Sequence, residues 1–160
     1  MRIIAQRVKE ASVSVDGRLV AAIDSGIMAL GGFGQEDGPD YRSSPSYTAM
    51  ARKLVGLRIF PGTGENAHKF HLSLDEFGGQ LLLVPQFTLF ADCRKGRRPS
   101  FTDAGDPAWA RDMFTDFVQM VDETCGVSVS SGIFGADMDV RLCNWGPVTI
   151  ILDSANLFSR

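Results

Sequence analysis

The stretch Leu81 to Phe101, LLLVPQFTLFADCRKGRRPSF, constrains the fold more than any other part of this 160-residue chain. Leu81 to Val84 is a short unbroken apolar run, the pattern of a strand buried on both faces. Pro85 stops it, because proline has no N–H to give to a ladder and belongs at strand ends, edges or bulges. Polar Gln86 and Thr88 then alternate with apolar Phe87 and Leu89, so one side of the segment is free to face something other than core. An edge strand turned to solvent has the same pattern. Four of the five residues from Arg94 to Arg98 are basic, with Gly96 among them. A buried strand thus runs through a polar bend into a concentrated cationic loop. That layout presents backbone and side-chain groups to an anionic ligand; a solvated loop is the plain alternative.

The length suits one domain with a real core. With 44% hydrophobic and 22% charged residues, composition is ordinary globular, without repeats or low-complexity tracts. No apolar run reaches the length of a membrane span, and Met1-Arg2-Ile3-Ile4 opens on a strand-like pattern with no secretory signal. Cys93, Cys125 and Cys143 are odd in number and far apart, which argues against a disulfide framework. The expectation is a cytoplasmic protein with no membrane partner. A net charge of −3 excludes a general nucleic-acid coat, so any such binding is local, through a patch such as Arg94 to Arg98.

Along the chain, Ile3 to Val8 and Ala11 to Val15 read as two short strands. Asp16-Gly17 is a hairpin turn signal, which pairs the second of them with the segment up to Ile23. Ile27 to Leu30 is another strand, and Gly31, Gly32 and Gly34 read as turn glycines in a loop. Ser44-Pro45 starts a helix whose apolar positions Tyr47, Met50, Ala51, Leu54 and Val55 recur at helical spacing, with its end near Gly56. Leu57 to Phe60 is expected as a strand and Asp75 to Gly79 as a turn. Asp106-Pro107 caps a second helix, striped by Ala110, Phe114, Phe117 and Val121 and ended by Gly126. Strands follow at Val127 to Val129, Asp139 to Leu142 and Val148 to Leu152, and residues 154–160 are a tail. Eight or nine strands with two main helices make an α+β domain with a mostly antiparallel or mixed sheet, spanning residues 1–160.

A second stretch, Asn144-Trp145-Gly146-Pro147-Val148-Thr149, precedes the apolar run Ile150 to Leu152. Together with Pro85-Gln86-Phe87-Thr88-Leu89 it resembles the two signatures of the D-aminoacyl-tRNA deacylases, Ser-Gln-x-Thr-Leu and Asn-x-Gly-Pro-x-Thr. The resemblance extends over essentially the whole chain, including Gln6-Arg7-Val8, Leu57 to Phe60, Arg94 to Phe101 and Gly132 to Met138. It implies a β-barrel-like sheet domain forming a homodimer. The implied reaction is hydrolysis of the ester between a D-amino acid, or glycine mischarged on the alanine tRNA, and the terminal ribose of tRNA.

Such an ester is already activated, so a positioned water and donors for the developing oxyanion suffice. The residues agree with this. There is no persuasive nucleophile elbow or Ser/His/Asp order, and Thr88 has no adjacent base to make it a nucleophile. Cys93 beside Arg94 and Lys95 has the setting for a lowered pKa, yet a catalytic cysteine wants a paired histidine and only His68 and His71 exist. Those two histidines have no further ligand at convincing spacing, so neither metal nor cofactor is expected. Gln86 and Thr88 are therefore assigned positional roles, and Phe87 joins them through the backbone N–H groups around it, which polarise the carbonyl. The resemblance adds a part for the tRNA 2′-hydroxyl in activating the water. It also implies that Gly146-Pro147, bonded in cis between Asn144 and Thr149, enters the partner subunit's pocket and rejects L side chains with backbone atoms. Read alone, a Gly-Pro pair is a turn before the last strand. Phe134 and Met138 match positions near the family's pocket wall, with core packing as the alternative. Arg94, Lys95, Arg97 and Arg98 are candidates for phosphates near the tRNA 3′ end.

Two positions depart from the family pattern. Pro85 replaces the usual serine, as in a related branch that clears L-alanine from a threonine tRNA; that branch has alanine after the glutamine, so Phe87 favours the D-specific group. Phe70-His71-Leu72-Ser73 stands where Met-Asn-Leu-Ser is usual.

Overall fold

The computed structural model describes residues 1–158. Six strands form one mixed sheet: β1 (Arg2–Val15), β2 (Arg18–Ile23), β3 (Gly26–Gly32), β4 (Gln80–Pro85), β5 (Val129–Ser131) and β6 (Asp139–Asp153). The helices are α1 (Pro45–Val55), α2 (Leu74–Phe77), α3 (Pro107–Cys125) and α4 (Ser154–Phe158). Long β1 organises the sheet. Its first half pairs antiparallel with β3 and its second half with β2, while β6 runs antiparallel along its other side. β3, β4 and β5 are parallel neighbours, which explains the unbroken apolar run at Leu81 to Val84: both faces of β4 are covered.

The sheet curls and separates two cores. Helices α1 and α3 cover one face, where Ile3, Ile27, Leu81 and Leu83 meet Met50, Leu54, Met113 and Phe117. The inside of the curl holds Val8, Val13, Ile23, Met28, Leu82 and Val84. Alternation along β4 sends Leu81 and Leu83 to one core and Leu82 and Val84 to the other, whereas β1 gives Ile3 and Ala5 to the first core and Val8, Ala11 and Val13 further along to the second. Both long helices start as their sequences predict, with Ser44 and Asp106 accepting from the N–H two residues on and proline in the first turn.

Several expectations need correction. The two runs at the N-terminus are one strand, because backbone pairing continues through exposed Lys9 and Glu10 with a shift of register. Likewise the two C-terminal runs are one strand, β6. Leu57 to Phe60 forms no strand: Phe60 makes an isolated bridge to Leu72 and finds no further neighbour. The last short strand lies two residues later, at Val129–Ser131, and Gly31 and Gly32 belong to β3. The expected turn after Ser73 is helix α2, closed by a reciprocal bond pattern between Ser73 and Glu76 that was readable as Ser-x-x-Glu. Ser154–Phe158 is helical and not a tail, and residues 159–160 of that expected tail lie outside the described residues. No described helix is long and apolar enough to cross a membrane.

Candidate active site

At the C-terminal end of β4 the chain does not continue as an alternating strand. The Gln86 N–H still donates to the Gly31 carbonyl at 2.8 Å, and Phe87–Phe90 then forms a 3-10 turn. This turn lies tight against the end of β3. A methyl group on Gly32 would overlap the Gln86 carbonyl oxygen, and one on Gly34 would overlap the Phe90 ring. Glycine here serves close backbone approach, not a phosphate cradle. From behind, Arg2 donates to the Leu89 carbonyl at 3.0 Å, lies over the Phe90 ring and pairs with Asp153 at 2.8 Å.

The turn presents Phe87 and Thr88 to solvent, with Phe87 54% exposed. Gln86 Nε2 donates to Thr88 Oγ1, which leaves the threonine proton free to donate elsewhere. The N–H groups of Phe87 and Thr88 open the turn and have no partner within it. Beside them is a largely apolar cavity of about 350 Å³ lined by Gly31, Gly32, Gln86, Phe87, Phe101 and Phe134, with Ala110 and Phe114 of α3 behind. Phe87 and Phe101 meet edge to face, centroids 5.1 Å apart. Phe101 is a wall residue that sequence reasoning did not single out; its place straight after the basic loop was the available signal. Of the two residues proposed as pocket wall, Phe134 lines the cavity. The Met138 sulfur instead packs near Gly132 and Pro85, beside the inner core.

The basic segment is a small hairpin closed by reciprocal backbone bonds between Asp92 and Ser100. Arg94 is not a free cation within it. Its Nε and Nη2 donate to the two Asp92 oxygens at 2.9 and 2.8 Å, and these bonds hold the Asp92 carboxyl down at about 2. Lys95, Arg97 and Arg98 are exposed and make no ion pair among the described residues.

The second motif is built as a bulge in the β1–β6 ladder. Gln6 pairs with Thr149 and Val8 with Asn144, so Arg7 alone stands opposite Trp145 to Val148. Asn144 closes the base of the bulge: its Oδ1 accepts from the Val148 N–H at 2.9 Å and its Nδ2 donates to Thr149 Oγ1 at 3.2 Å. Gly146 and Pro147 are exposed at the tip, and the bond between them is cis. Neither lines the cavity beside Gln86. The cavity lies at the Arg2 end of β1 and the bulge at Arg7, about 16 Å away along the strand at the usual strand rise.

A family model described as D-Tyr-tRNA(Tyr) deacylase matches residues 4–153. The chain belongs to that family. A D-aminoacyl-tRNA deacylase of Desulfovibrio desulfuricans is 77% identical to it over 158 residues, 99% of each chain. Another, of Solidesulfovibrio magneticus, is 54% identical over 157 residues, 98% of each. Among solved structures, a c-Myc DNA unwinding element binding protein superposes with a TM-score of 0.82 at 33% identity, over 96% of this chain and 98% of that one. A probable eukaryotic D-amino acid tRNA deacylase superposes with a TM-score of 0.80 at 21% identity, over 94% and 97%, a likeness of fold.

Arg7, quoted from the sequence only within the stretch Gln6-Arg7-Val8 and given no role there, supports the bulge from beneath. It is buried inside β1, donates from Nε to the Trp145 carbonyl at 2.8 Å and from Nη1 to the Ile59 carbonyl at 2.5 Å, and lies against the Trp145 ring. Burial pushes its pKa down, and no carboxylate pairs with it among the described residues. An arginine set inside the strand-like run Ile3 to Val8 was the signal. Among the described residues no cluster of His, Cys, Asp or Glu is arranged to hold a metal.

Proposed function

We propose that this chain clears D-amino acids from tRNA by hydrolysing the ester to the terminal ribose, and that glycine mischarged on the alanine tRNA is a second substrate. The hydrolase class follows from family membership and from the relatives' shared name. The observation that carries the mechanism is the Gln86–Thr88 contact at the lip of an aromatic-walled cavity, with no base hydrogen-bonded to the hydroxyl among the described residues. Gln86 and Thr88 position the ester, and the N–H groups of Phe87 and Thr88 receive the charge developing on its carbonyl oxygen. Water is the attacking group, assisted by the tRNA 2′-hydroxyl. Lys95, Arg97 and Arg98 attract the phosphates of the 3′ strand, while Arg94 shapes their hairpin.

Chiral selection belongs to Gly146-Pro147 of a second copy, which caps the cavity with backbone carbonyls. Its support is geometric. The pair stands out of the ladder, exposed, and remote from its own chain's cavity. Strand β6 has no partner on its outer side among the described residues, and Ile151 on it is 70% exposed, a surface suited to a second copy.

A second reading, nucleic-acid binding without turnover, is favoured by the 33% identical structure whose name describes binding to a DNA unwinding element. One assay separates the two: hydrolysis of D-tyrosyl-, L-tyrosyl-, glycyl- and L-alanyl-tRNA with chelator present. Loss of the D-tyrosyl and glycyl esters with L-tyrosyl intact is the expected result. Cleavage of L-alanyl-tRNA as well would mean that Pro85 marks a relaxed pocket. No turnover would leave the binding reading.

A further inference from the structure

The cavity beside Gln86 has a cation at its edge that does not belong to the basic hairpin. Pro107, Ala110 and Phe114 of α3 line the cavity, and Arg111 lies on the same helical face, four residues after Pro107 and three before Phe114. Its guanidinium lies over the Phe134 ring, 5.6 Å from the centroid, and its Nη2 is 3.8 Å from where a Gly135 Cβ would stand. Phe134 and Gly135 both line the cavity. Arg111 is exposed and forms no ion pair among the described residues, unlike Arg94 of the hairpin. An arginine held over an aromatic ring is oriented by it, and its planar fork suits phosphate oxygens.

We infer that Arg111 binds a backbone phosphate of the 3′-terminal nucleotides of the tRNA, adding a cation from α3 to those of the hairpin, Lys95, Arg97 and Arg98. This rests on the proposed deacylase reading. Arg111 touches the substrate's phosphate and not the ester, so its effect belongs to KM. Exposed to solvent, the contact is screened by salt.

The test compares D-tyrosyl-tRNA with 3′-D-tyrosyl-adenosine, an ester with no phosphate, in the unaltered protein, Arg111→Ala and Arg111→Lys. Arg111→Ala is expected to raise KM for the tRNA ester about fivefold more than for the adenosine ester, and to reduce the salt dependence of tRNA binding by about one unit of log–log slope. Arg111→Lys, which keeps the charge, should recover most of the tRNA effect. Equal losses on both esters would show that Arg111 merely supports Phe134, and no loss on either would remove it from the site; each outcome overturns the inference while the deacylase reading stands. If the unaltered protein cleaves neither ester, the deacylase reading itself falls and takes this one with it.

Discussion

The Nε of Arg7 donates to the carbonyl oxygen of Trp145 at 2.8 Å, so a buried cation on the central strand anchors the exposed Gly146-Pro147 tip from beneath. Its other donor holds the Ile59 carbonyl, which joins the bulge to the segment after α1. Arg7→Lys keeps the charge and loses the fork. It is expected to lower stability by about 1–3 kcal/mol and to reduce the D-to-L ratio of kcat/KM more than D-ester turnover itself. Urea unfolding and paired D- and L-tyrosyl-tRNA assays check this, and an unchanged ratio in a destabilised variant would confine Arg7 to folding.

Gly146 has φ +139°, and a methyl group there would stand 2.7 Å from Val148 Cγ2 and 3.0 Å from Arg7 Nη2. Gly146→Ala is therefore strained by backbone and by crowding together, at a cost of about 1–3 kcal/mol. The tip should shift away from Arg7. Thermal unfolding reads the cost, and the D-to-L ratio reads the shift.

Gln86→Ala and Thr88→Ala should each lower kcat/KM for a D-ester by about 10²-fold, the scale for removing one positioning or oxyanion-hole group. A loss of roughly 10⁴-fold or more from Thr88→Ala alone would instead indicate a nucleophile. Steady-state kinetics with each variant decide between them.

The hydrogen bonds from the Arg94 side chain and N–H hold Asp92 down at about 2. A lowered carboxyl stabilises the folded hairpin above the unfolded-state pKa of about 3.9, and that contribution drains as pH falls through the folded value. The clamp should thus be intact at pH 5 and lost towards pH 2. A carboxyl carbon titration by NMR with a midpoint at the ordinary aspartate value would contradict it.

Tyr41 and Tyr47 are the two tyrosines of the chain, and burial raises both above the ordinary value, Tyr47 the more, with the charge of Asp116 adding to its shift. Tyr47 also donates to the Met113 carbonyl at 2.9 Å, so Tyr47→Phe should cost about 1 kcal/mol. The contribution of neutral tyrosine is complete below the unfolded-state pKa of about 10 and is lost as pH rises beyond it. Phenolate absorbance should accordingly appear together with unfolding. A separate phenolate titration in the folded protein, with a midpoint near pH 10, would refute this.

What the sequence determined by itself was local chemistry and periodicity. Ser44-Pro45 and Asp106-Pro107 started helices, the stripe through Phe114 and Phe117 faced the core, and the Leu81 to Val84 run was buried because such runs lose too much by facing water. The two motifs pointed to the reaction class through their resemblance to the deacylase signatures, which local chemistry alone would have left as a polar bend and a Gly-Pro turn. Pairing was what the sequence left open. Lys9-Glu10 and Trp145 to Val148 break the apolar pattern without breaking the strands, since backbone bonds to a neighbour continue past a bulge. Leu57 to Phe60 has strand chemistry and no neighbour to extend its single bridge. Gln86 to Leu89 alternates like a strand, yet its backbone turns where β3 ends in glycines that admit it. Tertiary structure alone decided that Arg7 supports the Gly146-Pro147 bulge, that Arg94 is spent on Asp92, and that Arg111 shares a cavity rim with Phe134. Each of these depends on which chain segments meet, and that is set by the packing of the whole sheet against its helices.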